Sequence, residues 1–262
     1  MAEVLFWPAL LAYGEAAVAY VGNAVRPGTA GRLATWGVRL GWLLQTALLT
    51  VQATRADGFP WDTWAGSLAL FVWLVVTGYL IWGCRVRYRL LGLAVMPPVA
   101  LLLVVSRLAG GTSLPARSDY STAFLVLHVG LVLAAFAGFT LAAALSGLYL
   151  WQERRLKSRK PGTVLGRMPS LVGLETLSAR TVVFALPALT TGIVAGLVRL
   201  RDSGGGLDAL MAVTLLTWLV YAVFLLVRFE FGWRGRRAAY LLLAGFALVA
   251  VARLALPLTH FS

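Results

Sequence analysis

Two histidines, His128 and His260, are the only imidazole side chains in this chain of 262 residues. His128 lies in the middle of FLVLHVGLVLAAFAG (124–138), a run that contains no other polar side chain. An imidazole in such a run can hydrogen-bond a neighbouring helix, or it can bind a metal through a neutral ring nitrogen. Polar groups at membrane depth are costly to bury, so they often mark functional sites. The choice between these roles depends on where the chain places the second histidine.

The composition predicts an integral membrane protein. Hydrophobic residues make up 60% of the chain, the mean hydropathy is +0.83, and long apolar runs recur. The net charge of +13 comes mainly from basic residues in short loops between these runs, so we predict no nucleic-acid partner. The single cysteine, Cys84, excludes an internal disulfide and a cysteine-based zinc site. Because no catalytic triad, carboxylate cluster or phosphate-binding loop is found, we predict that the protein is not an enzyme.

The apolar runs predict an all-α fold, an eight-helix transmembrane bundle that forms a single domain over residues 1–262. The predicted spans are 4–22, 33–52, 64–82, 90–108, 121–150, 180–198, 207–228 and 238–258. The first is expected to be a retained span, since no basic segment precedes it. Seventeen Lys and Arg residues fall in the odd-numbered connections and five in the even-numbered ones. This distribution predicts that both termini lie on the non-cytoplasmic side. The location that we predict is the bacterial cytoplasmic membrane, as a multi-pass protein.

The longest connection, 151–179, is predicted to be cytoplasmic. Its first part, WQERRLKSRKPGTVLGR, is basic and is expected to meet the headgroups of membrane lipids. In the second part, Ser170 can cap a helix that places Leu171, Leu174 and Leu177 at helical spacing. We therefore predict a short interfacial helix over 168–180, with an ordinary connector as the alternative.

This topology places both histidines in the outer half of the bundle. His128 lies about 12 Å along the fifth span from its outer end, and His260 follows the outer end of the eighth. Two neutral imidazoles are a common axial ligand pair for haem iron. We therefore predict that His128 and His260 bind haem b, with the second nitrogen of each ring held by a hydrogen bond. The alternative is that His128 only hydrogen-bonds a backbone carbonyl.

Three further residues could complete a haem site. Arg253 lies two turns before His260, and an arginine inside a span needs an anionic partner such as a haem propionate. Trp61 and Trp64 lie at the outer end of the third span. They could cover a haem face, or they could belong to the aromatic belt at the membrane surface.

Glu15 is the other unusual polar residue, because it lies in the middle of the first predicted span. An isolated carboxylate at that depth would be protonated or paired. We predict that Glu15 is buried and paired with Arg39, Arg253 or a histidine, either as a structural pair or on a proton path.

Three segments resemble the membrane proteins of the cytochrome c assembly (CcsA-like) family. They are LHVGLVLAAFAGFTLAAALSGLYLWQERRLK (127–157), MPSLVGLETLSARTVVFALPALTTGIVAG (168–196) and TWLVYAVFLLVRFEFGWRGRRAAYLLLAGFALV (217–249). The resemblance implies that His128 and His260 correspond to the family's external haem ligands. Family members that handle haem carry a Trp-rich loop between these histidines and an additional histidine before the Gly-Trp-Arg-Gly turn. Here RLRDSGGGLDALMAV (199–213) contains no tryptophan and AVFLLVR (222–228) no histidine.

An eight-span chain that keeps the outer histidines but lacks this loop is similar to the HemX branch of the family. Membership would imply a haem-binding regulator of haem biosynthesis that acts on the level of glutamyl-tRNA reductase. Two alternatives remain open. One is a haem transport or assembly component for cytochrome c maturation, which would work with an assembly partner. The other is an electron carrier with a bis-histidine haem.

Overall fold

The computed structural model describes residues 2–25, 28–55, 60–61, 63–83, 88–110, 121–158, 169–203 and 209–255. All regular structure in this part of the chain is helical. The helices are α1 (Ala2–Val25), α2 (Ala30–Arg55), α3 (Trp64–Gly83), α4 (Arg89–Leu108), α5 (Thr122–Leu125), α6 (Leu131–Lys157), α7 (Leu171–Ser203), α8 (Ala209–Phe229) and α9 (Arg236–Ala255). A π-helical segment, Val126–Gly130, joins α5 to α6. The described residues thus form eight continuous helical stretches at the positions of the predicted spans.

Six of these stretches are long and apolar enough to cross a membrane, counting described residues only. They are Val4–Asn23, Trp64–Ile81, Leu91–Leu108, Ala123–Lys157, Leu171–Val198 and Ala209–Phe229. Large apolar side chains such as Leu11, Leu101 and Phe184 are 63–70% exposed on their surfaces, a distribution suited to lipid rather than water. The protein is therefore a multi-pass membrane protein. α2 is long enough to span, but Arg39, Gln45 and Gln52 reduce its hydropathy.

The chain divides into two compact units, and each is described here by itself. Unit 1 comprises residues 1–122 and 162–169, and unit 2 comprises residues 123–161 and 170–262. The single domain expected from the sequence stays a prediction.

In unit 1, α1 packs against α2 and α4, and α3 packs against α4. Small residues allow the close approach of α1 and α2: a Cβ atom added to Gly41 would lie 2.6 Å from Cε1 of Tyr13. Without a strong hydrophobic force between helices in lipid, such contacts hold a membrane bundle together through van der Waals packing and hydrogen bonds. The unit's interior also contains fully buried tyrosines, Tyr13, Tyr20 and Tyr79.

In unit 2, α6 packs against α7 and α9, while α8 contacts both α7 and α9. The rings of Phe139 and Tyr221 stack at the centre of this core, with centroids 3.7 Å apart. α6 and α7 approach closely at Gly138, where an added Cβ would lie 2.8 Å from the Cβ of Ala185. The resulting core fixes the positions of α6 and α7, the two helices that build the candidate site.

The predicted short interfacial helix is wrong as a separate element, because 171–180 forms the first part of the 33-residue helix α7. No proline or glycine interrupts the chain between Leu174 and Arg180, so nothing separates an interfacial helix from the span. The predicted start is confirmed: the backbone N–H of Gly173 donates to Oγ of Ser170 at 3.1 Å. Leu174 and Leu177 are buried as the spacing indicated.

Candidate functional site

His128 lies in the π-helical segment between α5 and α6. A π turn adds one residue to the helical repeat, which rotates the following side chains, and such turns are frequent at functional sites. The imidazole is half-buried and stacks on the ring of Phe124, with centroids 5.5 Å apart and the planes 5° from parallel. The segment packs against α7, so the imidazole lies between its own helix and a neighbouring one.

A hydrogen bond to α7 determines which nitrogen of His128 carries the proton. Nδ1 lies 2.7 Å from the carbonyl oxygen of Gly192. A carbonyl oxygen can only accept, so Nδ1 must be the protonated nitrogen. In the neutral ring Nε2 then keeps its lone pair, and it makes no hydrogen bond with any described residue. Histidines that bind metals often have this arrangement, in which the second nitrogen donates to a carbonyl that orients the ring. The same bond is also what the alternative predicts, in which His128 only hydrogen-bonds a backbone carbonyl of a neighbouring helix.

Two glycines of α7 allow this close approach: Gly196 makes room for the His128 ring, and Gly192 makes room for Val132. An added Cβ at Gly196 would lie 2.6 Å from Cε1 of His128, and one at Gly192 would lie 2.7 Å from Cγ2 of Val132. Any larger residue at Gly196 would therefore collide with the imidazole. Neither glycine was predicted from the sequence as part of the site. The GIVAG pattern (192–196) was the available signal, since a Gly-xxx-Gly spacing in an apolar helix indicates close helix approach.

Of the other predicted haem-site residues, His260 lies outside the described residues. Arg253 lies in the last part of α9, and its side chain also lies outside the described part. Trp61 and Trp64 belong to unit 1, whereas His128 belongs to unit 2. The indole N–H of Trp61 donates to Oε1 of Gln52 at 3.3 Å, and Trp64 is half-buried at the start of α3.

The prediction that Glu15 is buried and paired is wrong. Its side chain is exposed, and it makes no ion pair within the described part of the chain. The reason is helical periodicity: the buried face of α1 carries Tyr13, Ala16 and Tyr20, whereas Glu15 shares the exposed face with Leu11 and Val18. Arg39 is also exposed, and its guanidinium lies 5.2 Å from the centre of the Trp36 ring.

A second polar cluster in unit 2 was not predicted. Nη1 of Arg228 in α8 donates to Oε1 of Glu175 in α7 at 2.8 Å, and both side chains are 13–14% exposed. The cavity beside them, lined partly by Ser146 and Tyr149, has a volume of about 10 Å³, which is room for about one water molecule. This pair therefore fastens α7 to α8 and leaves no space for a ligand.

No group of three or more His, Cys, Asp or Glu residues that could hold a metal ion occurs in the described ranges. His128 offers one nitrogen donor, and a porphyrin is a group that supplies four further nitrogens of its own to an iron atom. Nε2 of His128, which makes no hydrogen bond to a described residue, suits the iron of such a group, whereas the space beside Gly196 is filled by the imidazole itself.

Comparison with known proteins places the chain in a family. Residues 61–260 match the family described as cytochrome C assembly protein. HemX of Brevibacillus brevis is 31% identical, covering 70% of this chain and 68% of that protein. The cytochrome c biogenesis protein CcsA of Mesostigma viride is 24% identical, covering 95% of this chain and 89% of that protein. CcsA of Prochlorococcus marinus is 26% identical, covering 87% and 81%. The chain therefore belongs to the cytochrome c assembly family of membrane proteins.

Proposed function

We propose that this protein is a haem-binding membrane regulator of haem biosynthesis, similar to HemX, with His128 as a haem ligand. The observation that carries the proposal is the hydrogen bond from Nδ1 of His128 to the carbonyl of Gly192. It fixes the tautomer that leaves Nε2 ready to bind iron, and hydrogen bonding at Nδ1 increases the basicity of Nε2.

Haem b, when bound, supplies an iron atom that accepts imidazole nitrogens at its axial positions. Nε2 of His128 and the imidazole of His260 would hold the haem iron, and Arg253 would pair with a propionate. Phe124 and Gly196 define the plane of the His128 ring. The covering role of Trp61 and Trp64 stays a prediction from the sequence. The family membership supports haem handling, and the relatives' names concern cytochrome c biogenesis and HemX.

The proposed topology has eight spans with both termini outside the cytoplasm, in the bacterial cytoplasmic membrane. The Lys and Arg distribution supports it, as do the eight helical stretches. In this arrangement the two histidines lie on the outer side.

A regulatory signal requires that haem bind one conformation of the protein more tightly than another. α7 is suited to carry the difference, because it contains both the carbonyl that holds His128 and, some 17 residues earlier, the carboxylate paired with Arg228. A movement of α7 at Gly192 would therefore also move the start of this helix, where Glu175 lies. In the proposal that end faces the cytoplasm and passes on the signal that affects the level of glutamyl-tRNA reductase, without any enzymatic activity of the protein itself.

A second candidate function is a haem transport or assembly component for cytochrome c maturation. The relatives named as cytochrome c biogenesis proteins, which cover 87–95% of this chain, favour it. The lack of tryptophan in 199–213 and the 31% identity to HemX favour the regulator.

Absorption spectroscopy of the purified protein tests haem binding. We expect a low-spin six-coordinate haem b in the wild type, and loss of haem or a high-spin spectrum in His128→Ala and in His260→Ala. Leu127→Ala is a matched control, because Leu127 lies in the same π segment and is 48% exposed. Wild-type spectra in both histidine variants would refute the ligand assignment. To separate the two candidates, the level of glutamyl-tRNA reductase and the content of covalent cytochrome c are measured in cells lacking the gene and in cells producing His128→Ala.

A further inference from the structure

One end of unit 2 carries a basic and aromatic surface that the haem proposal does not use. The C-terminal part of α6 contributes Trp151, Arg154 and Arg155. The turn after α8 and the start of α9 contribute Trp233, Arg234, Arg236, Arg237 and Tyr240, and all eight of these side chains are exposed. We call this set the arginine–aromatic surface.

Contacts between α6 and α9 make it a single surface. Nη2 of Arg236 donates to the hydroxyl of Tyr240, one turn later in α9, at 3.3 Å, and α9 packs against α6. Nε of Arg236 lies 3.9 Å from Oε2 of Glu153 in α6. The two arginine-bearing segments therefore lie side by side on one end of unit 2.

The surface has a large excess of positive charge. Glu153 lies 2.6 Å from Nζ of Lys157 as well as near Arg236, and Glu230 is the other carboxylate of the neighbouring turn. Within the described part of the chain, no carboxylate pairs with Arg155, Arg234 or Arg237. Arg155 and Arg237 instead lie over the rings of Trp151 and Trp233, at 5.3 Å and 6.0 Å. Their guanidinium groups keep N–H donors for an external anion.

Apolar side chains border the charged groups. Phe229 and Phe231 are 68% and 70% exposed. Phe231 and Trp233 line an open recess of about 520 Å³ together with Arg234, Arg236 and Arg237. Gly232 and Gly235 have φ values of +62° and +71°, which only glycine adopts readily, so the turn shape is built into the sequence. A small soluble anion would satisfy the arginines but would leave these rings in water.

We propose that the arginine–aromatic surface binds the headgroup of an anionic phospholipid, whose acyl chain covers Phe229 and Phe231. The ends of the apolar helices α6, α8 and α9 meet here, so the surface lies where a headgroup would be. Guanidinium groups bind phosphate through paired N–H donors, and Trp and Tyr side chains favour the boundary between lipid and water. This binding is independent of the haem proposal, since no residue of the surface is a proposed haem ligand.

The test measures lipids that remain bound to the purified full-length protein in detergent, by native mass spectrometry, after equilibration with phosphatidylglycerol or phosphatidylcholine. We expect the wild type to retain phosphatidylglycerol preferentially and to lose it as salt is added. The double variant R234Q/R237Q should bind phosphatidylglycerol about ten-fold more weakly or worse. R32Q/R39Q is the matched control, because Arg32 and Arg39 are exposed and Arg39 also lies over a tryptophan. R234K/R237K, which keeps the charge, should retain part of the binding.

Three results would overturn the proposal. The first is unchanged retention of phosphatidylglycerol in R234Q/R237Q, or an equal loss in R32Q/R39Q. The second is displacement of the lipid by inorganic phosphate at the same concentration, which would indicate a small-anion site. The third is displacement by polyglutamate at matched charge, which would indicate a surface for an acidic protein. If R234Q/R237Q does not fold, the wild-type protein alone tests the proposal. Phosphatidylglycerol retention that is insensitive to salt, or that equals the retention of phosphatidylcholine, contradicts it.

Discussion

In the interior of unit 1, the Gln45 side chain uses both of its polar atoms in hydrogen bonds, whereas the His128 side chain of unit 2 uses only one of its two nitrogens among the described residues. In unit 1 the hydroxyl of Tyr13 donates to Oε1 of Gln45 at 2.8 Å, and Nε2 of Gln45 donates to the carbonyl of Ala69 at 3.0 Å. Gln45 is thus used at both ends of its amide. His128 uses one nitrogen for the same kind of contact and leaves the other without a hydrogen bond to any described residue. A polar group that is satisfied at both ends fastens helices, whereas one satisfied at a single end can also bind a ligand.

A pair of tryptophans in unit 1 shows the fastening role in a second form. Nε1 of Trp42 donates to Oγ1 of Thr77 and Nε1 of Trp73 donates to Oγ1 of Thr46, both at 2.8 Å. The two indole rings stack between these bonds, with centroids 5.9 Å apart. Each hydroxyl in turn donates to the carbonyl of the tryptophan four residues before it. The reciprocal bonds join α2 to α3 and leave no indole N–H of this pair for a ligand.

The largest effect should follow from filling the space beside His128. Gly196→Ala adds a Cβ that would lie 2.6 Å from Cε1 of His128. The imidazole must therefore move, and its hydrogen bond to Gly192 must lengthen. We expect haem affinity to fall at least ten-fold while the helical content stays unchanged, as measured by haem titration and circular dichroism. Gly147→Ala in α6 is the control, since an added Cβ there meets nothing within 4 Å. If Gly196→Ala and Gly147→Ala bind haem equally well, the space beside His128 has no role in haem binding, and the contrast between the two regions is wrong.

Removing the side-chain amide of Gln45 in unit 1 should lower the free energy of unfolding and leave haem binding unchanged. Gln45→Leu leaves the buried hydroxyl of Tyr13 and the carbonyl of Ala69 without this partner, at a cost of about 1–3 kcal/mol. Thermal unfolding in detergent should show the loss, and the haem spectrum after reconstitution should be that of the wild type. A change in the haem spectrum would mean that Gln45 is more than a structural residue.

Removing one bond of the tryptophan pair should have a smaller effect. Trp42→Phe deletes the N–H that binds Thr77 but keeps an aromatic ring for stacking, so we expect a loss of about 0.5–1.5 kcal/mol, part of it from the smaller ring. A double-mutant cycle with Thr77→Val isolates the hydrogen bond from the change in ring size. A coupling energy of zero would contradict the fastening role.

The smallest effect is expected at Glu15. Glu15→Gln alters an exposed side chain without an ion pair among the described residues, so the unfolding free energy should change by less than about 0.5 kcal/mol. Thermal unfolding of both forms at pH 5 and pH 8 measures it. A larger loss of unfolding free energy would support the prediction from the sequence that the Glu15 carboxylate is buried and paired.

Hydropathy was sufficient to locate the helices, because a membrane requires long apolar segments whatever their tertiary contacts. It gave no information on which face of α1 is buried, and this is why Glu15 was misplaced. The prediction of a hydrogen bond to the second nitrogen of His128 followed from metal chemistry, and the bond to Gly192 is present. Its partner could not be predicted, since it depends on how α7 packs on the π segment. That segment itself, Val126–Gly130, has no distinctive residue pattern.

The position of the proton on His128 tests the central claim most directly. In the variant His260→Gln, purified without a histidine tag, His128 is the only histidine, so ¹⁵N spectra of histidine-labelled protein report on this ring alone. We predict that the neutral ring carries its proton on Nδ1 and leaves Nε2 unprotonated, because the carbonyl of Gly192 can only accept. When haem is added, the resonance of Nε2 should shift before the resonance of Nδ1. A ring protonated at Nε2, or at both nitrogens, would contradict the claim that His128 presents a free nitrogen to iron.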